Sequence, residues 1–344
     1  MPDDALAVIT VAYDSAADLP ETLAAVRAQL REGDELVVVD NASHDDSAGV
    51  AEHAGARVVR AERNDGFGAG CHLGAAATSA PLLFFLNPDA RLAPGALDTL
   101  RAAASRRPRW AAWQALVVLP GGETLNTSGG VVHWLGFGWS GQCDEPVAAG
   151  PAALGEVAFA SGAALVVRRG AWEEVGGFEP GYFMYGEDLD LSLRLRLAGW
   201  DVGVVPEARV EHAYEFAKGD YKWFHLERNR AWTVLCAYPG PLLALVAPAL
   251  AGFEVALLLV AAREGWLRPK LRAQAAVAGS LPWALRRRRR VQAGRTVGAA
   301  AIGRTLTASL DSPYLHAPAP LAHLQAAYWR AVMRLLGRAE RGRR

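Results

Sequence analysis

The sequence predicts an α/β domain built on a mixed, mainly parallel sheet with helices on both faces, followed by a helical extension of different character. Three observations carry this. Short apolar runs alternate with helix-like stretches, polar turn residues close each apolar run, and beyond residue 238 the composition turns apolar and basic. With 344 residues, 51 % of them hydrophobic, the chain can bury a sizeable core.

Apolar runs at Leu6–Val11, Glu35–Val39, Arg57–Val59 and Pro81–Leu86 read as strands, and 18–31, 45–54 and 69–79 as the helices between them. That rhythm gives parallel strands joined by crossover helices. Ligands of such sheets sit beyond the carboxyl ends of the strands. The residues to read are therefore Tyr13-Asp14, Asp40-Asn41, Asn64-Asp65-Gly66 and Asn87-Pro88-Asp89. Residues 120–155, rich in Gly, Trp and turn residues, read as a long irregular excursion. Apolar stretches at 157–167 and 202–205 extend the sheet.

Tyr182 to Trp200, YFMYGEDLDLSLRLRLAGW, places Glu187, Asp188 and Asp190 after an aromatic-rich segment and a glycine. The alternating leucines at 189, 191, 193, 195 and 197 fit a strand, but the length of the run, the i,i+4 pairs and Gly199 as a stop favour a helix. Acids are at home in a first helical turn without any function. On a helix Asp188 and Asp190 lie ~200° apart, so one faces a cleft while the other is free to pair with Arg194.

From 239 the character changes. Pro239 to Ala262 is almost wholly apolar, broken by prolines, glycines and Glu254, and Arg286–Arg290 are five consecutive arginines. Glu254 and Pro248 count against a membrane span, so an interfacial helix or re-entrant segment beside anionic headgroups is expected. The formal net charge of zero hides this: residues 1–239 carry 19 Lys/Arg against 32 Asp/Glu, whereas 240–344 carry 17 against 4. Domains 1–238 and 239–344 follow. Cys71, Cys143 and Cys236 lack metal-ligand or disulfide spacing and read as reduced thiols. MPDDALAVITVAY lacks the basic and long apolar regions of a secretory signal, so a cytoplasmic location is expected.

Asp89 follows the buried run LLFFL on a Pro-containing turn, where a carboxylate can hold Mg²⁺ or Mn²⁺ against a diphosphate; taken alone, an aspartate beside proline is more often a turn residue satisfying its own backbone. His212 is an able ligand for such ions but is as readily a packed imidazole. NDGFGAGCHLG fails as a dinucleotide fingerprint, because position 71 is cysteine where glycine is required, and a dehydrogenase is disfavoured. A glycine-rich helix start near phosphate remains reasonable. Asp40 could accept from a pyrimidine ring N–H and Tyr13 could pack on a base, although an aspartate before Asn-Ala-Ser also starts helices.

Taken in order, these segments resemble the family 2 glycosyltransferases of the GT-A fold, especially the rhamnosyltransferases that elongate bacterial cell-surface polysaccharides. The matching residues are VITVAYDS (8–15), VVVDNASHDDS (37–47), NDGFGAGCHLG (64–74), FLNPDA (85–90), ASGAALVVRRGAWEEVGGFEPGYFMYGEDLDLSLRLRLAGW (160–200), VEHA (210–213) and HLERNRAW (225–232). The resemblance implies base contacts from Tyr13 and Asp40, and a donor pocket along Asn64, Gly66, Gly68 and Asn87. It implies a divalent cation, Mg²⁺ or Mn²⁺, at Asp89 with His212 as a further ligand. Ser161 and Gly162 would border the sugar and acceptor, Asp188 would be the catalytic base, Glu187 would touch the acceptor, and Asp190 would support. Arg228 and Asn229 would cover the donor diphosphate. Two residues depart from the family pattern: Asn87 stands for the first metal-motif aspartate, which implies weak metal binding or an ion arriving with the donor, and His72 stands for an asparagine.

The implied activity is inverting transfer of a sugar, best L-rhamnose from dTDP-rhamnose, to a hydroxyl of a glycan or lipid-linked glycan at the inner face of the membrane. A galactosyl-, glucosyl- or mannosyltransferase using UDP- or GDP-sugar is the alternative within the family, and a membrane-bound nucleotide-sugar-binding scaffold the alternative outside enzymes. Nucleic acid is not an expected partner, because the first 239 residues are acidic and hold no reader motif.

Overall fold

The computed structural model describes residues 4–213, 220–312, 315–316 and 319–342. Met1–Asp3, part of the stretch read above against a secretory signal, lie outside the described residues. By contacts the chain divides into two compact units. The first is Met1–Gly130, Ser140–Leu195 and Trp200–Glu215; the second is Val131–Trp139, Arg196–Gly199 and Phe216–Arg344.

In the first unit the strands are β1 (Leu6–Ala12), β2 (Glu35–Asp40), β3 (Arg57–Arg60), β4 (Leu82–Leu86), β5 (Ala90–Leu92), β6 (Trp110–Val118), β7 (Leu125–Thr127), β8 (Gly130–Val132, crossing into the second unit), β9 (Gly138–Ser140, likewise), β10 (Gly155–Glu156), β11 (Ala164–Arg168) and β12 (Asp201–His212). The main sheet has ten strands in the order β10-β12-β6-β11-β4-β1-β2-β3, with β5 on β12 and β7 on β6. β1 pairs parallel with β2 and β4, β2 with β3, and β6 with β12, while β11 is antiparallel to both β4 and β6. Since β11 alone is reversed between them, β4 and β6 run the same way. The carboxyl ends of β1, β2, β3, β4, β6 and β12 therefore lie along one edge of the sheet, together with the segment that leads into β11.

Helices α1 (Leu19–Arg27), α2 (Ser47–His53), α3 (Phe67–Ala76), α4 (Ala96–Arg106), α5 (Arg169–Val175) and α6 (Glu187–Leu197) cover both faces. Alternation along the strands divides the core: Leu6, Val8, Val38 and Phe84 pack with Leu23 of α1 and Leu100 of α4, whereas Ile9, Val37, Leu83 and Phe85 pack with Cys71 of α3, Trp172 of α5 and Leu191 of α6. The glycines of α3 serve that packing. A Cβ on Gly70 would lie 2.5 Å from Val11 and one on Gly74 2.3 Å from Ile9, so they let the helix backbone settle onto β1.

The expected strands and the three expected helices all form. The stretch 157–167 does so only in part: β11 begins at Ala164, because the amides of 160–163 bond to side chains instead of a neighbouring strand. The excursion at 120–155 holds β7, β8, β9 and a short helical turn at Val147–Ala149. β6 and α4 are elements that the reading of apolar runs above does not single out.

α6 is buried almost all round, with its five leucines at most 6 % exposed. A helix without a polar face has no 3.6-residue pattern to show, which is why the leucines alternate. Gly199, at φ +95°, ends it in the left-handed region as expected of a helix stop.

The second unit contains α7 (Asp220–Ala237), α8 (Gly240–Arg263), α9 (Leu267–Gly279), α10 (Leu281–Ala293), α11 (Ala299–Gly303) and α12 (Ala319–Arg341). By contacts α7 groups with the second unit, because it packs against α9 and α10. Glu227 and Arg230 of α7, Glu254 of α8 and Lys270 of α9 form one ion-pair network, with Lys270 only 1 % exposed. Glu254, the acid that interrupts the apolar run, is thereby compensated by two cations. The five arginines are not one exposed cluster: Arg287 is buried on the Trp283 ring, and Arg288 donates to the carbonyls of Leu235 and Tyr238, where α7 ends.

Candidate active site

The acids of α6 follow a bent segment. Phe183 has φ +66° and ψ −61°, with the Met184 N–H donating to the Tyr182 carbonyl in a three-residue turn, and Tyr185 and Gly186 are also at positive φ. Such positions cost about 1–3 kcal/mol for each non-glycine residue, and they concentrate at functional sites. Gly66 makes the bend possible: Phe67 N–H donates to the Phe183 carbonyl, and a Cβ on Gly66 would lie 2.3 Å from that oxygen. Gly68 likewise abuts Phe178.

Asp188 and Asp190 take the different tasks expected from their angular separation. Asp190, fully buried, accepts from Arg194 Nε at 2.7 Å and Tyr182 OH at 3.1 Å, and Arg194 donates onward to the carbonyls of Val175 and Gly177. Among the described residues Asp188 has no such cation. Its Oδ2 accepts from Gly162 N–H at 3.0 Å and its Oδ1 from Leu189 N–H at 2.8 Å, which leaves a lone pair on each oxygen. Burial raises its carboxyl above the usual range, against the pull of those amides. Burial and then the Asp188 charge push neighbouring Glu187 up to about 8. Glu187 Oε2 has no hydrogen-bond partner among the described residues.

The segment opposite Asp188 is fixed by side chains. Ala160 N–H donates to Ser192 Oγ, Ser161 N–H to Gln114 Oε1 at 2.7 Å, and Ala163 N–H to Ser161 Oγ. Asn87 N–H donates to the Ala163 carbonyl, which ties this segment to the end of β4.

At the ends of β4 and β12, Asp89 Oδ1 lies 3.2 Å from His212 Nε2, and Asn87 Nδ2 lies 3.1 Å from the same nitrogen. His212 is 6 % exposed and Asp89 39 %. Among the described residues no group of three His, Cys, Asp or Glu gathers as a metal cage. The pair nevertheless suits a hard divalent ion, since Mg²⁺ commonly takes one or two protein ligands and fills its shell with phosphate and water.

At the ends of β1 and β2, Tyr13 is 43 % exposed with its ring edge-on to His44, and Asp40 Oδ1 accepts from Ser43 N–H. Asp14 and Ala42, just past the two strands, both sit at positive φ. Asn64 Oδ1 accepts from Gly66 N–H and from Asn41 Nδ2, while Asn41 Oδ1 is buried with no partner among the described residues. Of the residues expected to line a donor pocket, Tyr13, Asp40, Asn64, Gly66 and Asn87 lie along the carboxyl edge of the sheet. Arg228 and Asn229 lie on α7 in the second unit, where Arg228 Nε bonds Asn229 Oδ1 at 3.0 Å and its guanidinium covers the Trp232 ring. Gln114 and Ser192 were not singled out from sequence. A lone glutamine in the otherwise apolar run WAAWQALVV was the available signal.

The chain matches the Glycosyl transferase family 2 profile over residues 7–139 and the Glycosyl transferase family group 2 profile over residues 82–286. It is 30 % identical over 259 residues to the N-acetylglucosaminyl-diphospho-decaprenol L-rhamnosyltransferase of Mycobacterium tuberculosis (strain CDC 1551 / Oshkosh), covering 67 % of this chain and 83 % of that one. A shorter match, 43 % identical over 68 residues, covers 20 % of this chain and 25 % of Rhamnosyltransferase WbbL of Escherichia coli (strain K12). Among solved structures, GalNAc-T7 with UDP, GalNAc and Mn²⁺ aligns with TM-score 0.57 at 17 % identity, over 69 % of this chain and 48 % of that one. S. aureus TarS 1-349 in complex with UDP aligns with TM-score 0.53 at 16 % identity, over 99 % and 92 %. At such identities the likeness speaks for the fold. The profile matches and the long relative speak for more: this chain belongs to the family 2 glycosyltransferases, as an enzyme of GT-A fold that transfers a sugar from a nucleotide-sugar donor.

Proposed function

We propose that this enzyme transfers L-rhamnose from dTDP-rhamnose to a hydroxyl of a lipid-linked glycan, with inversion at the anomeric carbon. The observation that carries donor and acceptor is the 30 % identity to a rhamnosyltransferase whose name specifies a polyprenyl diphosphate-linked N-acetylglucosamine, across 83 % of its length. Asp188 is the general base. It removes the acceptor proton as the oxygen forms its bond to the anomeric carbon and the bond to the diphosphate breaks, the electron pair leaving with the phosphate. Its two amide bonds fix the carboxylate, and burial makes it a stronger base than an exposed aspartate. Glu187, beside it, contacts the acceptor.

Tyr13 stacks on the base, Asp40 accepts its ring N–H, and Asn64, Gly66, Gly68, Asn87, Ser161 and Gly162 line the path of the donor. Asp89 and His212 hold a divalent cation, Mg²⁺ or Mn²⁺, which would neutralise charge on the departing diphosphate. The decisive assay compares turnover of dTDP-rhamnose, UDP-galactose and GDP-mannose, each with and without chelator. Turnover confined to dTDP-rhamnose and depressed by EDTA is expected. Preference for UDP- or GDP-sugar would overturn the donor, and indifference to EDTA the cation.

Residues 1–238 form the catalytic domain, and 239–344 a membrane-peripheral extension that keeps the enzyme at the cytoplasmic face of an anionic membrane. α8 has 24 residues, is long and apolar enough to cross a membrane, and exposes Val255 and Leu259. Arg286, Arg289 and Arg290 remain exposed for headgroups. Pelleting with anionic but not with zwitterionic vesicles is expected; no pelleting would remove the membrane from the account.

A further inference from the structure

Gln114 is an anomaly in its strand. β6 is nine residues long and buried throughout, and Gln114 is its one polar residue, fully buried between Leu165 of β11 and Val204 of β12. A buried amide is costly unless its donor and acceptor find partners. Here Nε2 donates to the Ala115 carbonyl at 3.0 Å and Oε1 accepts from Ser161 N–H at 2.7 Å. An apolar residue would fill the same space without that requirement, so the glutamine has a task at Ser161.

Ser161 and Gly162 share a peptide unit, and the next amide along, Gly162 N–H, is the one that holds Asp188 Oδ2. The segment takes no strand pairing here that would fix it otherwise: its amides reach Ser192, Gln114, Asp188 and Ser161 Oγ in turn. We propose that Gln114 is a positioning residue for sugar transfer: it anchors Ser161 from inside the sheet so that Gly162 N–H meets and orients the Asp188 carboxylate. The inference rests on Asp188 being the base. Gln114 itself touches no substrate.

The consequence is specific. Without the anchor, the Gly162 N–H to Asp188 hydrogen bond loosens, and a carboxylate that loses an N–H donor protonates more readily. The test compares Gln114→Met, Gln114→Leu, Gln114→Glu and Asp188→Asn by thermal melting, donor KM, kcat and the pH dependence of kcat/KM. The Met and Leu variants should lose about tenfold in kcat, the scale of one hydrogen bond to a charged group. Donor KM should change less than about twofold, and the acid limb of the profile should move to higher pH. Gln114→Glu, isosteric and able as a neutral acid to make both hydrogen bonds, should recover kcat and profile.

Folded Met and Leu variants with the parent's kcat and acid limb would overturn the proposal. So would a loss that Gln114→Glu fails to recover, since that marks a packing role. Should neither apolar variant fold, Gln114→Asn, whose amide is too short for Ser161, replaces them with the same expected loss and shift, and their absence counts against the proposal. Asp188→Asn separates the two claims: if it retains turnover, the base assignment fails on its own account, whatever the Gln114 variants show.

Discussion

The ion-pair network of the second unit and the start of α6 in the first treat buried carboxyls in opposite ways. In the second unit burial would raise Glu254, but Arg230 and Lys270 outweigh it and hold the carboxyl down to about 2; Glu227, in the same network, is lowered as well. In the first unit burial and the Asp188 charge push Glu187 up to about 8. The difference lies in the partners. Where carboxyls join helices, cations neutralise them; at the start of α6 no cation among the described residues offsets the low-dielectric setting, which raises both carboxyls against the pull of backbone amides. One helical turn contains the same contrast, since Asp190 has Arg194 and Asp188, among the described residues, has amides.

The sharpest stability effect is expected in the network. Glu227→Ala leaves Lys270 and Arg230 sharing Glu254 alone and should cost about 3–5 kcal/mol in denaturant unfolding. A loss below about 1 kcal/mol would show that the network does not hold α7, α8 and α9 together. Asp190→Asn should cost somewhat less, about 2–3 kcal/mol, because Tyr182 keeps an acceptor while Arg194 loses its counter-charge. Its melting temperature should fall, whereas Asp188→Asn should melt like the parent; the reverse order would break the distinction between them.

A further effect is a dependence on pH, and its sign separates the network from the start of α6. A carboxyl raised in the folded state binds protons there that the unfolded chain has released. Glu187 should therefore make stability decline as pH rises from its ordinary 4.5 towards about 8. Glu254, depressed, contributes stability above its ordinary 4.5 that is lost as pH falls towards about 2. Glu187→Gln should flatten the alkaline decline and leave the acid loss in place. An unchanged alkaline slope would mean that Glu187 is ionised in the folded protein.

Much of this was legible in the residues. β1, β2 and β4 announce themselves because strands buried on both faces are largely unbroken apolar runs, each ending in a polar turn at the edge where ligands bind. The pairing of Asp190 with Arg194 followed from helix geometry alone. Hidden features were those set by neighbours distant in sequence: β6, whose alanines and tryptophans carry no period; Gln114, meaningful only once Ser161 lies above it; and Gly66, whose purpose is the bend at Phe183. The arginine run misled for the same reason. Consecutive residues of a helix point in different directions, so Arg287 and Arg288 turn inward while Arg286, Arg289 and Arg290 do not.

The central claim, that Asp188 acts as the base because no cation among the described residues neutralises it, is tested most directly by the turnover of Asp188→Asn at saturating dTDP-rhamnose, with donor binding measured by calorimetry on the same sample. The account predicts turnover lower by about 10²–10⁴-fold with donor affinity unchanged. Turnover within a few-fold of the parent enzyme would contradict it.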